Sequence, residues 1–198
     1  MAVALLKEPP LSPYTDLGPY RRQDYEALPD EPRCELIFGR FYVSPSPLVL
    51  HQFVALRLWR ILDQIATASG GLALAAPLDV HLADHSVVQP DVIYISPAHR
   101  DIAQRWVEGA PDLLIEVLSP GTFRRDRGDK LALYAQSGIR EYWIVDAAEQ
   151  SIEFLINEDS RFVVALPDGD EYRSRVLPEI HLDIPAFWKE VEDRLGSR

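Results

Sequence analysis

Two short apolar segments of the chain each carry an acidic residue where a buried β-strand is expected. Asp91 directly precedes the apolar residues 92–95, and Glu116 lies within residues 113–118. An ionised carboxylate is costly to bury in such a segment unless a partner compensates its charge. If the two strands are neighbours in one sheet, both carboxylates could bind one hard divalent cation. The alternative is structural: Asp91 caps the turn after Pro90, and Glu116 pairs with an arginine.

The composition is that of one globular domain. The 198 residues are 47% hydrophobic and 26% charged, which is enough apolar material for a single core. No apolar segment is long enough to cross a membrane, and the first eight residues lack the basic start of a signal peptide. The single cysteine, Cys34, excludes an intrachain disulfide and a thiolate metal site. We therefore expect a soluble cytoplasmic protein that has no membrane partner.

Hydrophobic periodicity indicates a mixed α/β (α+β) architecture after a proline-containing start. Residues 1–20 are predicted to form an extended arm, and residues 21–198 one domain. We expect a tight hairpin turn at Gly39 and helix ends at Gly70 and Gly138. The predicted helices cover residues 21–27, 49–68, 98–107, 125–137 and 185–195. The predicted strands cover residues 35–37, 40–43, 72–75, 78–82, 92–95, 112–118, 142–145, 151–156 and 161–165. Because helices and strands alternate in the middle of the chain, we expect a mixed central sheet flanked by helices.

The net charge of −11 argues against a protein that coats nucleic acid by charge alone. One segment differs from this average, because residues 124–130 contain four basic and two acidic residues. Arg124, Arg125 and Arg127 could hold a phosphate backbone near the two acids. The alternative is that these arginines are solvated at the start of a helix.

Four segments, taken in order, resemble a known family. They are QPDV at residues 89–92, IEVLS at 115–119, DRGDKLALY at 126–134 and EYWIVD at 141–146. Over about residues 20–187 the chain is similar to the restriction-endonuclease-like proteins of the PD-(D/E)XK nuclease superfamily. This resemblance implies a mixed sheet with flanking helices and metal-dependent hydrolysis of phosphodiester bonds.

The resemblance also implies roles for individual residues. Asp91 would be the aspartate of the motif and Glu116 its second acid, and both would bind Mg²⁺ or Mn²⁺. The superfamily lysine is expected two positions after Glu116, where this chain has Leu118. Lys130, on the next predicted helix, is the best substitute and would position or activate the attacking water. The alternative is a solvated Lys130 that pairs with Asp126, four residues earlier.

Two further residues match the family pattern or lie close to it. Glu35 occupies an early acidic position of that pattern and would act on the metal, directly or through a metal-bound water. Its alternative is an exposed residue at the entrance to a hairpin. Tyr134 lies one turn after Lys130 and could orient it, or it could be a core aromatic residue.

The first hypothesis is therefore a Mg²⁺- or Mn²⁺-dependent endonuclease, a hydrolase of nucleic acid. DNA is the favoured substrate, and a homodimer is the expected assembly. The second hypothesis is a non-catalytic protein on a nuclease fold that binds nucleic acid or another partner. Leu118 and the acidic balance of the chain favour this second hypothesis. A purely structural or oligomerising domain is the third.

Overall fold

The structure is a computed structural model that describes residues 17–29, 31–44, 46–119, 123–175 and 177–196. Most of the predicted extended arm therefore lies outside the described residues, and its boundary at residue 20 stays a prediction. The last part of that arm runs beside a hairpin. Gly18 donates its backbone N–H to the carbonyl oxygen of Phe38, and Tyr20 donates to that of Gly39.

The described residues form helices and strands that alternate along much of the chain. The helices are α1 (Arg22–Glu26), α2 (Val49–Ser69), α3 (Phe123–Asp126), α4 (Asp129–Gln136) and α5 (Ile184–Leu195), together with a 3-10 helix at Pro97–Ile102. The strands are β1 (Cys34–Ile37), β2 (Arg40–Val43), β3 (Leu72–Ala75), β4 (Val80–Ala83), β5 (Ser86–Val88), β6 (Val92–Ile95), β7 (Val107–Glu108), β8 (Leu113–Val117), β9 (Glu141–Asp146), β10 (Ser151–Glu158), β11 (Arg161–Ala165), β12 (Glu171–Arg173) and β13 (His181–Asp183).

A mixed six-stranded sheet forms the centre of the fold, in the order β11-β10-β9-β8-β6-β3. Its β8 and β9 are parallel, and its other neighbouring strands are antiparallel. A second sheet has the order β2-β1-β5-β4-β7, and β12 pairs with β13. The predicted mixed sheet with flanking helices is thus confirmed, although the sequence did not indicate that a second sheet packs beside it.

The central sheet is covered on both faces, which explains the continuous apolar sequence of β8. Ile115 and Val117 belong to the core cluster that contains α2 and α5. Leu114 belongs to the opposite cluster, which contains residues of α4 and of the second sheet. Because side chains alternate along a strand, Glu116 faces the same side as Leu114, towards α4. The fold therefore places this acid between the central sheet and a helix.

The strands of the two acids are neighbours, as the metal hypothesis requires. β6 and β8 pair in antiparallel fashion, with Val92 opposite Ile115. Continuing this register by one residue brings Asp91 beside Glu116. The carboxylate of Asp91 also accepts a hydrogen bond from the backbone N–H of Val117, with an Oδ2···N distance of 2.8 Å. The Asp91 side chain therefore extends the hydrogen-bond ladder between the two strands.

Two predicted helices are wrong in extent. The helix predicted at residues 98–107 is a 3-10 helix that ends at Ile102, because Val107–Glu108 pairs with β4 as a strand. The helix predicted at residues 125–137 is divided into α3 and α4, with Gly128 between them in a non-helical conformation. Strands β5, β7, β12 and β13 have two or three residues each and were not predicted. Of the helices that the structure describes, none has both the length and the apolar character needed to span a membrane.

The predicted glycine turns are confirmed. Gly70 and Gly138 end α2 and α4 with φ angles of 82° and 85°. Phe38 and Gly39 form the two-residue turn between β1 and β2, with φ angles of 49° and 74°. This is the backbone hand that a two-residue hairpin turn favours. A Cβ atom on Gly39 would lie 2.3 Å from the carbonyl oxygen of Gly18, whereas one on Gly70 would meet no atom within 4 Å.

We expect Gly39→Ala to destabilise the protein more than Gly70→Ala does. Both variants place a side chain at positive φ, which costs about 1 kcal/mol. Only Gly39→Ala also forces apart two backbone segments, and such overpacking adds about 1–3 kcal/mol. Urea unfolding of both variants measures the difference. If both variants lose the same free energy of unfolding, the contact between Gly18 and Gly39 does not constrain the hairpin.

Candidate active site

An open cavity of about 610 Å³ brings the sequence-predicted site residues together. Glu35, Asp91, Glu116 and Lys130 all lie on its wall. Glu35 comes from β1, Asp91 from the link between β5 and β6, Glu116 from β8 and Lys130 from α4. The cavity thus forms where both sheets meet α4.

The ammonium group of Lys130 is the centre of the hydrogen-bond network in this cavity. Its Nζ lies 2.8 Å from Glu116 Oε1 and 2.9 Å from Glu35 Oε1. Asp126 Oδ1 is more distant, at 3.7 Å. Lys130 is only 3% exposed, so it is not the solvated side chain of the alternative interpretation. The structure places it beside Glu116, where the family pattern requires an ammonium group, and its catalytic role stays a prediction.

Lys130 reaches this position from a helix because the expected lysine position is apolar. Leu118 follows β8, lines the same cavity and packs against the core cluster of α4. Helix α4 begins after the break at Gly128, which puts Lys130 in its first turn. A cation there opposes the helix dipole, and nearby carboxylates offset this penalty. One turn later, the Tyr134 hydroxyl donates a hydrogen bond of 2.7 Å to Glu116 Oε1. Tyr134 therefore orients the glutamate rather than the lysine.

Glu35 is a buried acid with three donors around it. It is 2% exposed, which contradicts the interpretation of an exposed residue at a hairpin entrance. Its Oε1 accepts the backbone N–H of Gln89 at 2.8 Å, in addition to the contact with Lys130. Arg125 Nη1 donates to its Oε2 at 3.1 Å. Glu35 therefore fixes the direction in which the lysine ammonium points.

The basic segment contributes one arginine to the network, and that arginine is already bound by an acid. Arg125 pairs with Glu35, and its guanidinium lies 5.2 Å from the ring centroid of Tyr42. Arg127 binds Glu153 with two hydrogen bonds of 3.0 and 2.6 Å and does not line the cavity. The Arg124 side chain lies outside the described atoms. The expectation that these arginines hold a phosphate backbone stays a prediction, and Arg127 lies with Glu153 outside the cavity that contains the two acids.

His51 is a site residue that the sequence did not indicate. It projects from α2 into the cavity, and its Nε2 lies 3.2 Å from Asp91 Oδ2. Burial lowers the pKa of His51, but the hydrogen bond and charge of Asp91 outweigh burial, so the pKa is raised overall. No local spacing links a helical histidine to an acid so far along the chain. Only the packing of α2 on the central sheet brings them together.

Three carboxylates, those of Glu116, Glu35 and Asp126, surround the Lys130 ammonium group, and the pKa values show the consequence. Burial, followed by the charges of Asp126, Asp91 and Glu35, raises the pKa of Glu116 well above its usual value despite the nearby Lys130. Burial lowers the pKa of Lys130, but its surrounding carboxylates outweigh burial and raise the pKa overall. Lys130 therefore stays protonated at neutral pH. The cluster as a whole favours the uptake of further positive charge.

The free carboxylate oxygens fit a hard divalent ion. Asp91 Oδ1 and Glu116 Oε2 accept no hydrogen bond from the described residues. Within the same part of the chain, no group of three or more His, Cys, Asp or Glu side chains is arranged to hold a metal. Two carboxylates, with water or substrate oxygens completing the coordination, are a usual Mg²⁺ site. Asp91 and Glu116 therefore supply oxygen donors of the kind that Mg²⁺ or Mn²⁺ takes, and metal binding by them stays a prediction.

Comparisons with known proteins identify the family of this chain. A sequence model of the Uma2 family, described as "Putative restriction endonuclease", matches residues 22–185. The chain belongs to the Uma2 family. This finding confirms the resemblance inferred from the four sequence segments.

The fold of this Uma2 chain is similar to that of a solved structure. That structure is of a protein described as a "putative nuclease belonging to DUF820", from Anabaena variabilis ATCC 29413. The two chains are 20% identical, and the match covers 87% of this chain and 99% of the other with a TM-score of 0.73. The comparison with curated proteins found no match. The likeness shows that the two chains share one fold, and it confirms the expected mixed sheet with flanking helices.

We expect the two members of the Lys130–Glu116 pair to affect stability in opposite directions. Lys130→Met removes the cation from between buried carboxylates, so it should cost about 3 kcal/mol. Glu116→Gln keeps an oxygen for Lys130 and Tyr134 and removes one excess charge, so it should cost nothing or stabilise the protein. Urea unfolding measures both effects, with the exposed Lys189→Met as a control that should stay within about 0.5 kcal/mol.

The effect of Glu116→Gln should also depend on pH. The pKa of Glu116 is raised in the folded protein. The stability that comes from binding its proton is therefore fully present below the pKa of the unfolded chain, which is near 4.5. That stability is lost as the pH rises through the folded pKa. Glu116→Gln has no carboxyl group to ionise at this position and so does not lose this stability. Its free energy of unfolding relative to the wild type should therefore be higher at about pH 8 than at about pH 5. Similar losses in Glu116→Gln and Lys130→Met would instead indicate an ordinary stabilising ion pair.

Proposed function

We propose that the protein is a Mg²⁺- or Mn²⁺-dependent nuclease that hydrolyses phosphodiester bonds, with DNA as its favoured substrate. One observation carries this proposal. The Lys130 ammonium and the Glu116 carboxylate are in contact on the wall of a cavity that also contains Asp91 and Glu35. The description of the Uma2 family as endonucleases supports the same reaction class.

In this proposal, Asp91 and Glu116 hold the divalent ion through their free oxygens. A bound ion of this type polarises a phosphoryl oxygen and lowers the pKa of a coordinated water. His51 and the Val117 N–H engage the other oxygen of Asp91, and Tyr134 engages the other oxygen of Glu116. These contacts fix both carboxylates before any ligand arrives, which reduces the reorganisation needed for catalysis.

Lys130 acts as a hydrogen-bond donor in this proposal and does not act as a base. Its pKa is raised, so it has no free electron pair with which to accept a proton from water at neutral pH. As an ammonium group it can orient the attacking water and stabilise the negative charge that develops on the phosphate. Glu35 is the accessory acid in this proposal, because its Oε1 holds the ammonium group through a 2.9 Å contact. Attack of water on phosphorus then breaks one ester bond and leaves a hydroxyl and a phosphate monoester.

Removing either proposed metal ligand should abolish cleavage. We expect Asp91→Asn and Glu116→Gln each to lower the rate of divalent-dependent hydrolysis by at least about 100-fold. The assay incubates plasmid DNA, single-stranded DNA and RNA with Mg²⁺, Mn²⁺ or EDTA and follows strand scission on gels. Glu153→Gln is the matched control, because Glu153 pairs with Arg127 outside the cavity. Cleavage that survives in either ligand variant would refute the assignment of these acids.

Metal binding separates this proposal from the non-catalytic alternative. Calorimetry with Mn²⁺ should detect binding to the wild type and to Glu153→Gln, and no binding to Asp91→Asn. A protein that binds nucleic acid but neither binds the metal here nor cleaves would be the binding protein of the second hypothesis. The proposed homodimer is measured on the same samples by analytical ultracentrifugation.

A further inference from the structure

A second cavity, of about 560 Å³, lies beside the candidate active site. It is lined by residues from α1, β1, β4 and the segment before β7. Arg33 and Gln89 line both cavities. Gln89 also donates its backbone N–H to Glu35, so the wall between the cavities includes a group bonded to the candidate active site. The volume suits a ligand of the size of one nucleotide.

Arg33 presents an available cation at this boundary. Arg33 is half-buried as a residue, and its guanidinium forms no hydrogen bond or ion pair with the described residues. The nearby Arg22 and Arg125 differ, because Glu108 and Glu35 bind them. In a chain with a net charge of −11, a half-buried arginine that no acid of the described residues binds is a specific feature. A guanidinium in this state matches the geometry and charge of a phosphate group.

The second cavity also contains a flat surface on which a base can stack. Trp106 is half-buried on its wall, and the Arg105 guanidinium lies 5.1 Å from the centroid of the indole ring. Unpaired bases stack on aromatic side chains and on arginine planes in single-stranded nucleic-acid sites. This stacking tolerates an acidic protein, because it does not depend on net charge.

Two side chains on the same wall, His81 and Asp79, can each accept a further hydrogen bond from a ligand. His81 is buried, and its Nε2 forms no hydrogen bond with the described residues, while its Nδ1 lies 3.3 Å from Glu108 Oε1. Burial lowers the pKa of His81, so the ring is neutral and retains one acceptor nitrogen. Asp79 uses only Oδ1, which accepts from Tyr25 and from Gln89 at 2.8 Å each. His81 Nε2 is thus a buried polar atom without a partner among the described residues, and such atoms are rare in folded proteins.

We propose that the second cavity is a subsite for one unpaired nucleotide whose base carries an amino group. The base lies against Arg105 and Trp106, its amino group donates to Asp79 or His81, and the adjoining phosphate binds Arg33. The strand then continues from Arg33 into the candidate active site. The identity of the ligand as part of a nucleic-acid strand rests on the proposed nuclease function, but binding in the subsite needs neither metal nor cleavage.

The test is equilibrium binding of a fluorescein-labelled single-stranded deoxycytidine decamer, followed by anisotropy in EDTA. We expect Trp106→Leu and Arg33→Met each to raise the Kd by about tenfold. Trp106→Phe keeps a stacking ring and should stay within about threefold of the wild type. Arg60→Met removes an exposed arginine outside both cavities, and it should leave the Kd unchanged within about twofold. Thermal melting of each variant identifies any loss of folding.

The preference for an amino group is tested with a thymidine decamer of the same length. The wild type should bind it about tenfold more weakly than the deoxycytidine decamer, because thymine offers no amino donor. Asp79→Asn should reduce this difference. If both decamers bind to the wild type with equal affinity, the proposed recognition of the base through its amino group is wrong.

The outcomes for the subsite and for the nuclease function are separable. Equal affinity of the wild type and Trp106→Leu overturns the subsite, whether or not the protein cleaves DNA, and so does a wild type that does not bind the decamer. Binding that depends on Trp106 and Arg33 in a protein that cleaves no substrate supports the subsite and overturns the nuclease proposal. If Trp106→Leu does not fold, Arg33→Met and its control Arg60→Met decide the matter.

Discussion

The burial of one ammonium group among several carboxylates is the constraint on which the rest of this structure depends. Lys130 Nζ lies within 3 Å of both Glu116 and Glu35, which come from different sheets. A lysine buried without these partners would lose its charge or the fold. The contact therefore fixes how closely α4 approaches both sheets. The same contact leaves an excess of negative charge, which makes the site receptive to a metal ion and less stable than a neutral core.

Much of the central sheet could be predicted from the sequence, but its surroundings could not. β6 and β8 are apolar and long enough to indicate buried strands, and glycines mark the ends of α2 and α4. β5 and β7 have three and two residues, which is too few for an alternating pattern. Their strand conformation comes from pairing with β4, a tertiary interaction that local sequence does not encode. The break at Gly128 was likewise hidden, because the residues around it have good helical periodicity.

The site was predictable where chemistry conflicts with burial and hidden where only packing brings groups together. Glu116 stood out because an acid within an apolar strand needs a compensating partner. Lys130 was reached only through the family resemblance, since its distance along the chain reveals no contact. No sequence signal placed His51 beside Asp91. The resemblance led us to expect a lysine at the strand position that Leu118 occupies, and the long side chain of Lys130 brings an ammonium group to Glu116 from α4 instead. The position of a charge therefore does not depend on which backbone position supplies it.

An acidic site that is to act on a polyanion needs local sources of affinity. The carboxylates around Lys130 repel a phosphate backbone, and the net charge of −11 adds no long-range attraction. A divalent ion at Asp91 and Glu116 would offset the repulsion at the reacting phosphate alone. The proposed subsite in the neighbouring cavity would supply the remainder, because Arg33, which no acid of the described residues binds, attracts one phosphate and a stacking surface binds a base without regard to net charge. Such a division places binding affinity in one cavity and chemistry in the other. Gln89 connects the two cavities, because it lines both, donates its backbone N–H to Glu35 and directly precedes Pro90-Asp91.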